Sequence, residues 1–152
     1  MTYDRIRYTI ADICQDVEYD ISALSNIASL LYQEIHDVNW VGFYLLRDGK
    51  LILGPFQGKL ACTEIELGRG ACGKAAKGNQ PVLVPNVNNF DGYISCDPET
   101  NSEVVLPIYK NGKLYGVLDI DSPTVDRFNG RSIEGFVELA GAITKVLLNT
   151  KE

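Results

Sequence analysis

The sequence contains the stretch SEVVLPIYKNGKLYGVLDI at residues 102–120, in which two apolar runs flank the dipeptide Asn111-Gly112. Asn-Gly is a preferred connection of a two-residue β-hairpin, because both residues tolerate the positive φ of a type I′ turn. The stretch VNWVGFYLLRDGKLILGPF at residues 38–56 is organised in the same way around Asp48-Gly49. Two such hairpins predict a central sheet that is largely antiparallel.

Helical patterns lie on either side of these hairpins. A first helix is predicted over residues 4–16, and a second has an apolar face that runs from Ile21 to Ile35. The last helix is predicted over residues 131–149, with Val137 in its apolar stripe. The remaining predicted elements are a short strand, a short helix and a short strand, at residues 62–67, 68–78 and 81–85. This order predicts one α+β domain over residues 1–152, with the terminal helices sharing one face of the sheet.

Composition narrows the class of partners. The 152 residues are 45% apolar and 22% charged, with a net charge of −6, as expected for an ordinary globular domain. Without a Lys/Arg run, nucleic acid and anionic membranes are poor partners. No apolar run approaches the roughly 18 residues of a membrane span. The first residues also lack the apolar core of a signal peptide, so we expect a cytoplasmic protein.

The chain has four cysteines and one histidine, His36. Structural disulfides are not expected in a reducing cytosol. The cysteine spacings lack the short pair typical of zinc sites, so no metal is predicted. His36 lies at the polar end of a helical stretch, which makes a Cys–His or Ser–His hydrolase hard to build.

The cysteines differ in where the pattern places them. Cys96 lies in the polar loop 86–101, and long loops inside compact domains are often functional. Cys72 lies near the start of the short helix, where the helix dipole favours a thiolate. It could equally be a small packing residue. Cys62 ends another loop, and Cys14 on the first helix is interpreted as incidental.

Three acids cluster around the second hairpin. Asp119 and Asp121 are two residues apart on a predicted strand, so they point to the same face, and Glu103 begins the partner strand. Buried carboxylates are costly unless they bind something, although a strand end in solvent would also accommodate them. Trp40, the single tryptophan, is either a core residue or the wall of a pocket.

The chain resembles the free methionine-(R)-sulfoxide reductases, which are stand-alone GAF domains. The matching segments span most of the chain. They are VNWVGFYL (38–45), GPFQGKLAC (54–62), GRGACG (68–73), YISCD (93–97), NSEVVLPI (101–108) and GVLDIDSP (116–123). The spacing of the cysteines agrees as well. The resemblance implies a GAF fold, with helices on one side of the sheet and ligand loops on the other.

The resemblance also implies a reaction. Cys96 would attack the sulfoxide sulfur of free methionine-(R)-sulfoxide and become a sulfenic acid. Cys72 or Cys62 would then condense with it to a disulfide, with Cys72 preferred for its place at the helix start. Thioredoxin would reduce that disulfide by thiol exchange. No cofactor is implied.

The same resemblance assigns the substrate pocket. Glu103, Asp119 and Asp121 would hold the substrate ammonium and hydrogen-bond or protonate the sulfoxide oxygen. Trp40 would pack against the S-methyl group, with Tyr44 extending that wall on the same strand face.

Three other functions remain open at this stage. A GAF domain can act as a non-enzymatic sensor, the cysteines could form a peroxide-sensing switch, or the domain could serve only for dimerisation. Pairing of the terminal helices in a homodimer is a further hypothesis.

Overall fold

The fold is built on one six-stranded antiparallel sheet, described here for residues 2–152 of a computed structural model. The strand order is β3-β2-β1-β6-β5-β4. The strands are β1 (Trp40–Arg47), β2 (Lys50–Gly58), β3 (Glu64–Glu66), β4 (Val82–Val84), β5 (Ser102–Lys110) and β6 (Lys113–Ser122). The helices are α1 (Tyr3–Ile13), α2 (Asp20–Glu34), α3 (Gly70–Gly78) and α4 (Ile133–Leu147). The prediction of an α+β fold with an antiparallel sheet is confirmed.

Both hairpins form where the turn dipeptides predicted them. Asp48 and Gly49 have φ values of 51° and 77°, and Asn111 and Gly112 have φ values of 53° and 77°. Positive φ at both central residues is the signature of the type I′ turn. The hairpins join edge to edge because β1 pairs with β6, with Trp40 opposite Asp121.

The two faces of the sheet carry two separate cores. Helices α1, α2 and α4 pack on one face, against side chains such as Phe43, Leu106 and Leu118. Helix α3 packs on the other face, together with Val105 and Val117. The alternation of side chains along each strand therefore divides the sheet into a helix-covered face and a face covered by α3 and loops.

Two residues of the predicted apolar stripes do not belong to the core. Ile21 is 67% exposed and Val137 is 45% exposed. Ile21 directly follows Asp20, the first residue of α2, and Asp20 is the side chain that points inward there. The predicted burial of Ile21 and Val137 is therefore wrong, while the other members of both stripes are buried or packed against the core.

Buried Asp20 connects the start of α2 to the β5–β6 hairpin and to the C-terminal residues. Its carboxylate accepts hydrogen bonds from Lys110 Nζ at 2.8 and 2.9 Å and from Tyr115 Oη at 3.0 Å. The Thr150 hydroxyl also donates to it. Burial alone would raise the pKa of Asp20, but the bonds from Lys110, Thr150 and Tyr115 together lower it. This cluster ties the C-terminus and the β5–β6 hairpin to the start of α2.

Across residues 2–152, no helix combines the length and the apolarity that a bilayer crossing requires.

Candidate active site

Three carboxylates lie together on the face of the sheet that α3 covers. Glu103 on β5 pairs directly with Asp121 on β6, and Asp119 is two residues from Asp121 on the same face. They are only 5%, 9% and 5% exposed, respectively. The three acids therefore cluster as predicted, and they lie in the interior rather than at a solvated strand end.

The environment of this cluster disfavours charge. Burial first, and then the neighbouring Asp121 and Glu103, raise the pKa of Asp119 well above its ordinary value. Burial and Glu103 likewise raise the pKa of Asp121. One oxygen of each aspartate, Oδ1, has no hydrogen-bond partner among the described residues. Such a cluster either holds protons or binds a cationic group.

An aromatic wall stands beside the acids. The Trp40 ring stacks on Tyr44 at 5.9 Å between centroids and on Phe56 at 5.3 Å. Two polar atoms of the wall hold the segment that leads to the first loop cysteine. Trp40 Nε1 donates to the Lys59 carbonyl at 3.2 Å, and Tyr44 Oη donates to the Cys62 carbonyl at 2.8 Å. The wall therefore has a rigid shape, because both polar ends are satisfied.

A disulfide joins Cys62 and Cys96 across the cleft, with 5.7 Å between their Cα atoms. Cys62 lies in the loop after β2 and Cys96 lies in the loop before β5. Both are partly exposed. The cleft beneath them is lined by the acids, the wall and Cys96. It contains about 30 Å³ of free space, which suits about one water molecule rather than an amino acid.

The preference for Cys72 as the partner of Cys96 is corrected by this geometry, because Cys62 occupies that position. Cys72 does lie in the first turn of α3, as predicted. Its thiol is buried, however, and its Sγ lies 4.0 Å from Glu103 Oε2. Burial first, then Asp119 and Glu103, raise the pKa of Cys72 well above its ordinary value. Burial and the neighbouring carboxylates therefore outweigh the helix dipole, which is equivalent to about half a charge.

Cys14 is buried against the helical core and is far in the fold from the cleft. Burial raises its pKa, so its thiol is held neutral. His36 is exposed, and its carbonyl accepts two hydrogen bonds from the Arg127 guanidinium. Neither residue joins the site, as expected from the sequence.

One set of side chains has the spacing of a metal site. A sulfur of Cys72 and one oxygen each of Glu103 and Asp119 lie within 4.8 Å of one another. Metal binding requires a deprotonated thiol, and the raised pKa of Cys72 opposes that. The absence of a metal stays a prediction.

Sequence reasoning missed several polar side chains of the site. Tyr93 Oη donates to Glu103 Oε1 at 2.7 Å, and Thr100 Oγ1 lies 3.4 Å from Asp121 Oδ2. Asn39 donates from Nδ2 to both Asp97 and Thr100. Tyr93 and Asn39 lie inside the segments that carry the resemblance, with Asn39 directly before Trp40 and Tyr93 three residues before Cys96. Their closeness in the sequence to those residues was the only signal available.

The antiparallel sheet with this cleft defines a GAF domain. The family model described as GAF domain matches residues 10–147, and the chain belongs to that family. The free methionine-R-sulfoxide reductase of Escherichia coli (strain K12) is 47% identical over 130 residues, which are 86% of this chain and 79% of that protein. Within the GAF domains, the chain therefore belongs to the free methionine-R-sulfoxide reductase family.

Solved structures agree with this assignment. The reduced form of fRMsr of Staphylococcus aureus has a TM-score of 0.91 at 42% identity, covering 95% of this chain and 94% of that chain. The same protein in complex with its substrate has a TM-score of 0.90 at 41% identity, covering 95% of each chain. The GAF fold implied by the sequence resemblance is confirmed.

Proposed function

We propose that this chain reduces free methionine-(R)-sulfoxide to methionine, with Cys96 as the nucleophile. Membership of the reductase family supports the reaction. The observation that carries it is the cleft, in which Cys96 faces a buried cluster of Glu103, Asp119 and Asp121 beside the Trp40 ring. A thiol, a proton source and a cation site are thereby combined in one small space.

The chemistry follows from those groups. The Cys96 thiolate attacks the sulfoxide sulfur, and the S–O oxygen is transferred to Cys96 as methionine leaves, which oxidises the thiol to a sulfenic acid. The departing oxygen needs a proton. A carboxyl group whose pKa is raised by burial and by neighbouring carboxylates, such as Asp119, can supply it.

Selectivity for a free amino acid follows from the acids and the wall. A carboxylate of the cluster would bind the substrate ammonium, which a methionine sulfoxide within a peptide lacks. The S-methyl group would pack on Trp40, and Tyr44 would extend that surface. The cleft of the disulfide form contains about 30 Å³ of free space, less than an amino acid fills, and we propose that substrate entry is accompanied by movement of the loop 86–101. Reduction of the Cys62–Cys96 bond permits that movement.

We propose Cys62 as the thiol that resolves the sulfenic acid. Its sulfur attacks Cys96, a disulfide forms and water leaves. The thiol of Cys72 is held protonated beside the carboxylates, and a neutral thiol is a poor nucleophile. Thioredoxin is the proposed reductant, since both cysteines of the disulfide are partly exposed and open to thiol exchange.

The proposal extends to the setting of the enzyme. We propose that residues 1–152 form a single GAF domain that acts in the cytoplasm, where a thiol reductant is supplied. A homodimer through α1 and α4 is proposed because Tyr8 and Leu148 expose 64% and 58% of their area beside the groove between these helices. Only monomer in sedimentation at micromolar concentration would contradict the dimer.

The decisive experiment measures turnover of racemic free methionine sulfoxide with dithiothreitol, with the two isomers resolved by chiral chromatography. We expect loss of the R isomer alone, abolished by Cys96→Ser and retained by Cys14→Ser. With thioredoxin as the reductant, Cys62→Ser should stop after one turnover whereas Cys72→Ser should continue. If neither isomer is consumed, the chain is a sensor or a redox switch instead.

A further inference from the structure

Asn39 connects the loop that carries Cys96 to the sheet that carries the acids. It directly precedes β1, and its backbone N–H donates to the Asp121 carbonyl at 2.9 Å. Its side-chain Nδ2 donates to Asp97 Oδ2 and to Thr100 Oγ1, each at 3.0 Å. One amide group therefore holds two residues of the loop against the end of β6.

The first of these bonds acts on the nucleophile. Asp97 is the residue after Cys96, and its carboxylate is buried. It accepts from Asn39 and also from the Glu99 N–H at 2.9 Å, while the Thr100 N–H donates to the Asp97 carbonyl at 3.2 Å. The turn next to Cys96 is thus closed around a carboxylate that Asn39 anchors.

The second bond, from Asn39 to Thr100, acts on Asp121 through the Thr100 hydroxyl, which serves as a relay. A threonine hydroxyl has one donor and two acceptor sites. Because Thr100 Oγ1 accepts from the Asn39 amide, its O–H is free to donate to Asp121 Oδ2, 3.4 Å away. Asp121 Oδ2 is thereby kept as an acceptor, and Oδ1 is the atom of this carboxylate that has no partner among residues 2–152.

We propose that Asn39 is a positioning residue of the reductase, setting Cys96 through Asp97 and Asp121 through Thr100. This inference rests on the proposed function. Asn39 does not line the cleft, so it acts on the geometry of the reacting groups rather than on the substrate. A misplacement of about 1 Å can slow a reaction by about 10²-fold.

Single-turnover kinetics of the reduced protein test the two branches. Asn39→Ala is expected to slow methionine formation by about 10²-fold, with KM changed by less than about threefold, because the amide makes no contact with substrate. Thr100→Val removes only the relay and should slow the reaction about tenfold, whereas Thr100→Ser keeps the hydroxyl and should restore the rate to within about threefold. The double variant should be no slower than Asn39→Ala, because both changes interrupt the same relay.

Asn101→Ala provides a matched control. Asn101 Nδ2 donates to the Pro123 carbonyl at 2.7 Å, so this variant also loses a bond between the loop and the end of β6, but one without contact to Asp97 or Asp121. Its rate should stay within about threefold of the wild type. The inference is wrong if Asn39→Ala is no slower than Asn101→Ala, or if Thr100→Ser is as slow as Thr100→Val.

Hydrogen exchange of the disulfide form separates this inference from the reaction itself. The amides of Glu99 and Thr100 should exchange at least about tenfold faster in Asn39→Ala and unchanged in Asn101→Ala. A wild type that forms no methionine would refute the proposed function, whereas unchanged exchange in Asn39→Ala refutes the anchoring role whatever the activity is.

Discussion

Replacing Asp119 by asparagine is expected to stabilise the folded protein at neutral pH while abolishing its reductase activity. The carboxyl group is buried, and its Oδ1 has no partner among residues 2–152. Burial first, and then Asp121 and Glu103, raise its pKa. The wild-type chain therefore carries an electrostatic cost at neutral pH that an amide would relieve.

The magnitude and sign follow from proton linkage. The pKa of Asp119 in the folded state lies above the ordinary value of 3.8, so the folded state binds the proton more tightly than the unfolded state. The contribution of Asp119 to the free energy of unfolding is therefore greatest below pH 3.8 and falls as the pH rises towards the folded pKa, by about 1.4 kcal/mol for each unit. The amide N–H can also donate to a neighbouring carboxylate, for about 0.5–1.5 kcal/mol. We expect a gain of about 1–3 kcal/mol at pH 7, within the range seen when buried charges are replaced.

Urea unfolding at pH 7 and at pH 3.5 measures this difference. The fluorescence of Trp40 reports the transition, since it is the single tryptophan and is buried in the wall of the cleft. The exposed Asp12 provides the control, because Asp12→Asn should change stability by less than about 0.5 kcal/mol. If Asp119→Asn brings no gain at pH 7, or the full gain persists at pH 3.5, the electrostatic reasoning is refuted.

Two further changes test the fold around the site. Lys110→Met leaves the Asp20 carboxylate buried without its ion pair and should cost about 3–5 kcal/mol at pH 7. Lys110 and its neighbours lower the pKa of Asp20 below 3.8. The stability that they provide is therefore present above that pH and is lost as the pH falls through the folded pKa. Urea titration at pH 7 and pH 3 should show that the loss of stability caused by Lys110→Met is smaller in acid. Gly116→Ala would place a Cβ 2.3 Å from the Tyr44 carbonyl oxygen, and since the clash is with backbone we expect a loss of at least about 1–3 kcal/mol in thermal unfolding. An unchanged free energy of unfolding of Lys110→Met at pH 7, or an unchanged melting temperature of Gly116→Ala, would contradict the corresponding contact.

The hairpins could be predicted from the sequence because their information is local. Asn111-Gly112 and Asp48-Gly49 specify the turn by their own backbone preferences, and each turn brings the two apolar runs that flank it side by side. The buried face of a helix is harder to predict, because it also depends on residues that are distant in the sequence. Ile21 fits the apolar period, but the side chain of the adjacent Asp20 has three partners from distant segments and occupies the inward position instead.

In the candidate active site, too, the features that local sequence encodes could be predicted and those that depend on distant residues could not. The clustering of Asp119 and Asp121 follows from strand alternation, which a sequence displays directly. The chemistry of Cys72 does not, because its position at a helix start favours a thiolate while the carboxylates that oppose it come from β5 and β6, more than thirty residues away. Similarly, the bonds from Asn39 to Asp97 and Thr100 join residues separated by 58 and 61 positions, and no local pattern encodes them.

The register of one hairpin accounts for both the core and the site. In the β5–β6 pairing, Glu103 lies opposite Asp121 while Val104 lies opposite Ile120, so the acids fall on the face that α3 covers, and Val104 and Ile120 fall on the face that α1, α2 and α4 cover. A slip of one residue would send Asp119 and Asp121 into the core beneath α1, α2 and α4, where nothing compensates their charge. The same Asn111-Gly112 turn that fixes the fold therefore also fixes the three carboxylates beneath Cys96. The turn lies about 30 Å from Asp121 along β6, at roughly 3.4 Å per residue. Lengthening the turn by one residue should therefore disturb the cleft through the strand register, although the inserted residue is distant from every residue of the site.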